Sequence, residues 1–419
     1  MKRWILRSLL VIAGLVYFSA ILGYGVDAWL LENPSEENLR RAIRWNTADP
    51  TLWRVYGRSK LVSLEADDWQ MAIAAYEQAL ARNPFDTFAW EGLATTYSRL
   101  GDAQKSEAAL RGAMAAVPHS PSLAWRLANF LLQQERFQEA FPLLRTAAAG
   151  DSTLRAPLFE LGWKLLADPL HIFRVLVPED LDSRIEYLRF LIQAKGELAG
   201  AYPVWNEIRN HDTEEVKKLG QSFTEELAAA GMGHEASAVW QELLALSEKA
   251  TAKPQGNLIT NGDFESELRN AGLDWRLLPE TGFEIASDNS VAQHGARSLR
   301  VTFDGNENPD FAAVRQWVPV EPGHHYRFRG YIKTEEITTD NGLHLSLATQ
   351  GAPPGESWER ATENRVGTTA WVEEQADLRT GPNTRVVQIQ LRRSRSTKLN
   401  NLIQGTVWID SLSVVSLAD

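Results

Sequence analysis

Near Pro254 the spacing of apolar residues changes from three and four to two, and no single layer of structure satisfies both rhythms. Upstream, from Asn33 to Lys253, an Ala- and Leu-rich pattern follows the helical period. Downstream, short segments alternate apolar and polar residues as half-buried strands do. The junction Ala252-Lys253-Pro254-Gln255-Gly256 has linker composition. With 419 residues, more than one core is expected. The sequence therefore predicts an N-terminal tip and apolar helix over 1–32, an all-α repeat region over 33–253, and an all-β sandwich over 254–419.

The clearest helical window is residues 88–118. Trp90, Leu93, Ala94 and Tyr97 share one face of a first helix, Leu100-Gly101-Asp102 breaks it, and Ser106, Leu110 and Ala113 line a second helix that Pro118 stops. A shift of 34 residues recovers the pattern in Leu127, Ala128 and Leu131, then Ala140, Leu144 and Ala147. Trp53, Tyr56 and Gly57 lead likewise to Ala72, Tyr76, Ala79 and Pro84. Later units, marked by Leu161-Gly162, by Gly196, Ala201 and Trp205, and by Gly231, Ala236 and Trp240, are degenerate. This pattern resembles the tetratricopeptide repeat. The resemblance implies a solenoid whose first helices line a groove that holds a peptide or protein segment. Glu91, Thr95 and Ser98 in one unit and Trp125 and Asn129 in the next face away from their own hairpins and are the groove candidates.

In the C-terminal part, Tyr326, Phe328, Gly330 and Ile332 alternate with Arg327, Arg329, Tyr331 and Lys333. Leu343, Leu345 and Leu347 alternate with His344 and Ser346, and Val387, Ile389 and Leu391 with Gln388, Gln390 and Arg392. At least seven strands fit, which predicts an antiparallel sandwich. NLITNGDFE followed by Trp275, with HGARSLRV, WVPVEPGHHYRFRGYIK and VWIDSLSV, resembles the jelly-roll carbohydrate-binding modules of galactose-binding-like fold. The resemblance implies that NGDFE begins the first strand, that the last strand pairs back near it, and that a structural calcium ion lies close to both. Asp263, Glu265 and Asp410 are the oxygen ligands that match such a site.

Sugar binding requires an aromatic surface flanked by planar polar groups. The wet strand faces supply Arg329, Tyr331, His344, Gln388, Gln390 and Arg392, a single patch if the three strands are neighbours, with Trp358 in a loop able to close over it. Trp275, Trp317 and Trp408 are expected in the core or at its edge. Arg392, Arg393, Arg395 and Lys398 form a basic run suited to a solvated hairpin or to an acidic polymer.

Ser8–Val26 carries no charge and is long enough to span a bilayer, with Lys2, Arg3 and Arg7 before it and Asp27 after it. It predicts a single-pass inner-membrane protein with a cytoplasmic N-terminus and its bulk periplasmic or extracellular. The net charge of −11 argues against nucleic acid as a partner, and the absence of cysteine removes thiolate chemistry. GMGHEA (231–236) imitates a dinucleotide fingerprint but joins two helices, and His234-Glu235 lacks a second His at position 238. No catalytic constellation is visible, and no cofactor is required. The resulting expectation is a non-enzymatic, membrane-anchored envelope scaffold. Its repeats hold a partner protein and its sandwich takes glycan, in assembly or export of an exopolysaccharide or surface glycoconjugate. The alternatives are a purely protein-binding scaffold and a divergent glycan-acting enzyme.

Overall fold

Short polar side chains set the start of most of the early helices. The structure, a computed structural model, describes residues 35–63, 65–246 and 256–417. Ser35 caps α1 (Glu36–Trp45), Asp49 caps α2 (Pro50–Leu61), Asp86 caps α4 (Thr87–Arg99), Asp102 caps α5 (Ala103–Ala116) and Ser120 caps α6 (Pro121–Gln133). In each case the side-chain oxygen accepts a backbone N–H of the first turn that has no partner inside the helix. α3 (Ala66–Arg82) and α7 (Phe137–Gly150) begin without a side-chain cap and depend on packing against the preceding helix.

The chain divides into two compact units between Arg184 and Ile185. In the first, α2 with α3, α4 with α5, and α6 with α7 form successive antiparallel hairpins. Alanines at the crossings are fully buried, among them Ala72, Ala79, Ala89, Ala113, Ala128 and Ala140, while Tyr76 fills the space between neighbouring pairs. Ser106 sits where the repeat pattern wants a small residue, and its buried hydroxyl donates to the Ala94 carbonyl at 2.9 Å. The regularity ends with α8 (Arg155–Leu166) and the short α9 (Pro169–Val175), joined through Ala167 at φ 51°.

The second unit opens within α10 (Leu181–Arg189), which continues as a π-helical turn, Phe190–Lys195, closed by Gly196 at φ 65°. It then forms α11 (Leu198–Ile208), α12 (Glu214–Ala229) and α13 (Gly233–Ala245). These last helices share a unit with the sandwich.

The sandwich consists of ten strands among the described residues: β1 (Arg276–Leu277), β2 (Phe283–Asp288), β3 (Ser298–Asp304), β4 (Phe311–Pro319), β5 (His325–Ile337), β6 (His344–Thr349), β7 (Glu359–Ala361), β8 (Gly367–Arg379), β9 (Val386–Arg393) and β10 (Gln404–Ser416). One sheet has the order β1-β4-β9-β6-β7 and the other β2-β3-β10-β5-β8, with every pairing antiparallel. Between them lie Leu345, Leu347, Ile389 and Leu391 from the first sheet and Phe328, Ile332, Val407 and Ile409 from the second, all fully buried. The alternation in the sequence becomes one face in this core and one face outward.

Two expectations are corrected here. NGDFE does not begin a strand: Asn261 and Phe264 adopt φ of 50° and 55°, and the segment turns. It is tied to β10, as the resemblance implied, by Leu258 N–H donating to Val414 O at 2.9 Å and Leu412 N–H to Gly262 O at 2.8 Å. The Asn261 amide clasps both backbone groups of Ser266, and its carbonyl receives the Trp275 indole N–H at 3.0 Å. The single-pass inner-membrane placement is also withdrawn. Among the described residues no helix is long and apolar enough to cross a membrane, and Ser8–Val26, on which that placement rested, lies outside them.

Candidate functional site

Register decides which polar side chains can meet. Residues directly opposed on neighbouring antiparallel strands project from the same face. Across the first sheet, Arg276 opposes Arg315, which opposes Gln390, which opposes Ser346, which opposes Ala361. A parallel row runs Trp317, Gln388, Ala348 and Glu359, and His344 opposes Arg392. Their sequence neighbours Val314, Val318, Leu345, Leu347, Ile389 and Leu391 point into the core, so both rows lie on the outer face.

That face is dense in hydrogen-bonding groups. The Ser346 hydroxyl donates to Glu359 Oε1 at 2.6 Å. Arg392 pairs with Asp310 at 2.9 Å and also donates to the Phe311 carbonyl. Burial pushes the His344 imidazole below its ordinary value, opposed by Glu359 and aided by Arg392, so it is neutral at neutral pH and offers one donor and one acceptor. Gln388 and Gln390 lie between these groups and Trp317, with the Arg315 guanidinium stacked 5.3 Å from the Trp317 ring.

The expected seven-residue patch is split. His344, Gln388, Gln390 and Arg392 come together here. Arg329 and Tyr331 do not join them: β5 belongs to the other sheet, where they face outward on the far side of the core, Tyr331 opposite Asp410 and Glu373, and Arg329 in an ion pair with Glu373 at 3.7 Å. Trp358 packs against the core instead of closing over the patch. Of the three tryptophans assigned to core or edge, Trp275 is in the core, Trp408 is buried on the outer side of the second sheet with its indole donating to Asp288, and Trp317 lies on the candidate face. Arg276, Arg315, Ser346 and Glu359 were missed. Alternation around Val314 and Val318 signalled that Arg315 and Trp317 point outward, but Gln316 between them, fully buried and bonded to both backbone groups of Thr260, blurred the pattern.

Two of the four cations of the basic run are paired with carboxylates. Besides the Arg392 pair, Lys398 meets Asp340 at 3.3 Å, and Arg393 is fully buried, donating to the carbonyls of Asn341 and Pro309 and to Asn308 Oδ1.

The calcium trio is also corrected. Among the described residues, no group of three or more His, Asp or Glu is placed to hold a metal ion. Asp410 Oδ2 accepts the N–H groups of Gln293 and His294 at 2.8 and 3.1 Å, and Glu265 Oε1 accepts those of Ala296 and Arg297 at 2.7 and 2.9 Å. One oxygen of each carboxylate is thus committed to backbone donors, and together the two carboxylates pin the loop before β3. Asp263 only accepts the Glu265 N–H, at 3.5 Å.

In the helical unit, Glu91, Thr95 and Ser98 lie on α4 and Trp125 and Asn129 on α6, the first helices of consecutive hairpins. Glu91 pairs with Arg126 across the two helices at 3.1 Å. Asn129 Nδ2 donates to the Trp125 carbonyl at 2.8 Å, leaving its side-chain oxygen available, and Thr95 and Ser98 are exposed.

The α12–α13 hairpin packs on the sandwich. Both helices lie against β4. Glu225 of α12 accepts the Gly272 N–H at 2.9 Å and pairs with Arg276 at 3.3 Å, while Gln350 Nε2 donates to the Ala229 carbonyl at 2.8 Å. The glycines of GMGHEA serve this contact. A Cβ at Gly231 would lie 3.0 Å from the Gln350 carbonyl oxygen, and one at Gly233 would lie 2.2 Å from that of Arg385.

Residues 256–397 match the family described as Carbohydrate binding domain, and residues 62–121 and 91–153 match the family described as Tetratricopeptide repeat. The chain thus carries tetratricopeptide repeats in its N-terminal half followed by a carbohydrate-binding domain. Similar solved structures include the CBM22-1 xylan-binding domain from Paenibacillus barcinonensis Xyn10C, at 14% identity over 40% of this chain and 99% of that one, with a TM-score of 0.29. Family 16 Carbohydrate Binding Module-2 is 15% identical over 38% of this chain and 99% of that one, with a TM-score of 0.28. YrrB, a TPR protein with an unusual peptide-binding site, is 15% identical over 52% of this chain and 95% of that one, with a TM-score of 0.26. No curated protein matches the chain.

Proposed function

We propose that the protein is a two-part binding scaffold whose sandwich holds glycan on the outer face of the β1-β4-β9-β6-β7 sheet and whose repeats hold a polypeptide segment. The observation that carries the glycan reading is the set of polar side chains on adjacent rows of that face: Gln388, Gln390, Arg392, His344 and Glu359, with the Trp317 ring opposite Gln388. Amides, a guanidinium, a neutral imidazole and a carboxylate together pair with hydroxyls that both donate and accept, which is what a sugar presents. The groups hold little net charge once Arg392 is paired with Asp310, which favours a neutral polymer over an acidic one. In the repeats, Glu91, Thr95, Ser98, Trp125 and Asn129 supply a hydrogen-bonding surface for an extended peptide. Linking the two sites through one chain brings a polypeptide partner to polysaccharide, a non-catalytic role suited to assembly or export of an extracellular polymer.

Affinity electrophoresis of the full chain against a panel of neutral and acidic polysaccharides tests the first half. Retention that is lost in Gln390→Ala and kept in Tyr331→Ala supports the assigned face. Retention on no polysaccharide, or loss with Tyr331→Ala alone, overturns it. For the repeats, peptides selected from a displayed library should lose binding to Trp125→Ala and Asn129→Ala variants. Peptides that bind both variants unchanged place the polypeptide site elsewhere.

A further inference from the structure

Two first helices of the repeats carry a local charge opposite to that of the whole chain. α2 and α4 hold Arg54, Arg58, Lys60 and Arg99 against Glu91 alone, in a protein whose net charge is −11. Some of these are already matched. Lys60 is buried between Glu36 and Asp68 at 2.9 and 2.8 Å, Glu91 pairs with Arg126, and Arg54 pairs with Asp86 at 3.1 Å. Arg58 and Arg99 remain. Both are exposed, and among the described residues neither meets a carboxylate. Arg99 donates instead to the Leu61 carbonyl at the end of α2 and lies 5.9 Å from the Trp69 ring.

A buried hydroxyl marks the same seam. Tyr76 of α3 passes its ring between α2 and α4, where Cβ atoms at Gly57 and Gly92 would lie 3.0 and 2.2 Å from it, and its phenol oxygen ends against Gly92. The residue is 1% exposed, yet its hydroxyl has no hydrogen-bond partner among the described residues. Buried polar groups of native folds are rarely left so. Burial pushes the phenol up to about 12, against the pull of the Arg58, Arg54 and Arg99 charges, so at neutral pH it is a donor within reach of three guanidinium groups. Phe88, one turn before Gly92 on α4, is 66% exposed, with the Arg54 guanidinium 5.4 Å from its ring.

We infer that the polypeptide segment held by the repeats is acidic: one side-chain carboxylate accepts from the Tyr76 hydroxyl and from Arg58, a second acid faces Arg99, and a large apolar residue lies on Phe88. This rests on the reading of the repeats as a polypeptide site. A carboxylate supplies what both groups lack, an acceptor for the hydroxyl and a counter-charge for the guanidinium groups, and such charge-assisted bonds are the strong ones. Spacing fixes the apolar residue. Four residues of helix separate Phe88 from Gly92, a rise of about 6 Å, and two residues of extended chain span about the same, so it stands two positions from the first acid. A long polyanion is disfavoured, because beyond this seam the net negative charge of the chain repels it.

Fluorescence anisotropy with the full chain tests this. The probes are a labelled peptide carrying two Glu with a Phe two positions from the first, and a counterpart with both Glu replaced by Gln. The acidic peptide should bind at least about tenfold more tightly, and Arg58→Glu, a change at an exposed position, should abolish that preference. Tyr76→Phe keeps the ring and should weaken the acidic peptide by about three- to tenfold while leaving the Gln peptide unchanged. Equal affinity for the two peptides, or a preference that survives Arg58→Glu, overturns the inference. Selection from a displayed library separates it from the reading beneath it. Selected peptides that lose binding to Trp125→Ala, show no excess of Asp and Glu and bind Arg58→Glu unchanged leave the polypeptide site standing and sink the acidic assignment. If no peptide binds, both fail. Displacement of the acidic peptide by heparin or single-stranded DNA at lower charge concentration identifies a polyanion site and overturns the inference as well.

Discussion

Replacing Gly92 by alanine sets two effects of opposite sign against each other, and the structure says which one wins. Gly92 lies inside α4, where alanine is favoured over glycine by about 1 kcal/mol. The new methyl would, however, lie 2.2 Å from Tyr76 Cζ, 2.5 Å from Cε1 and 2.6 Å from the phenol oxygen. Carbon atoms pack at about 3.5–4.0 Å, so the ring must retreat by more than about 1 Å. Tyr76 is 1% exposed, and behind its ring lies Gly57, whose own Cβ position is 3.0 Å from Cδ1 and Cε1. The ring cannot move without separating α2 from α3. Overpacking of this kind costs about 1–3 kcal/mol, and a ring confined on both sides falls at the upper end. The net loss is then about 1–2 kcal/mol. Urea unfolding followed by helical circular dichroism should show a lower midpoint for Gly92→Ala. In a Tyr76→Leu background, where the obstructing ring is gone, the same alanine should be neutral or stabilising by up to about 1 kcal/mol. A wild-type background in which Gly92→Ala leaves the midpoint unchanged or raises it would refute the argument that small residues admit this ring.

Asp288 is held low, to about 2 from an ordinary 3.8: its burial raises it, but the Ser290 hydroxyl, the Trp408 indole and the Arg300 charge outweigh that. A lowered carboxyl stabilises the fold above its unfolded value and loses that contribution as pH falls from about 3.8 through about 2, worth about 2 kcal/mol before solvent screening trims it. The stability gap between the protein and Asp288→Asn, measured by urea titration, should close across that window, and a gap independent of pH would contradict it. Arg393→Ala should cost about 3 kcal/mol or more, because the buried carbonyls of Asn341 and Pro309 lose their donors, and Arg393→Lys should recover only part since an ammonium cannot span them. Thermal melting in calcium and in a chelator should give the same sandwich Tm, as backbone N–H groups already claim one oxygen each of Asp410 and Glu265. A rise of several degrees with calcium would restore the metal site.

In the helical unit, spacing alone puts the candidate groove residues on one face. Glu91 and Thr95 are one turn apart, and a period of 34 residues carries the same face to Trp125 and Asn129 on the next first helix. The sugar face was only half legible. Gln388, Gln390 and Arg392 lie on one strand, and strand alternation alone puts them together. Whether Tyr331 or His344 stands beside them depends on which strand pairs with β9, and those neighbours are β4 and β6, separated from it by 66 and 36 residues of sequence. The grouping of the calcium trio was illegible for a related reason. Acidic residues at matching positions are visible in sequence, but the backbone N–H groups of the loop at Gln293 to Arg297 that claim them are not.

The sequence by itself determined the two rhythms, the point near Pro254 where one replaces the other, and the faces each helix and strand would bury, since all of these follow from side-chain spacing over a few residues. Only the tertiary structure decided the order of strands in each sheet, the separation of Arg329 and Tyr331 from the glutamines, and the docking of α12 and α13 on β4. Those are choices among long-range partners, settled by which packing buries the most surface without stranding a polar group, and local periodicity carries no term for them.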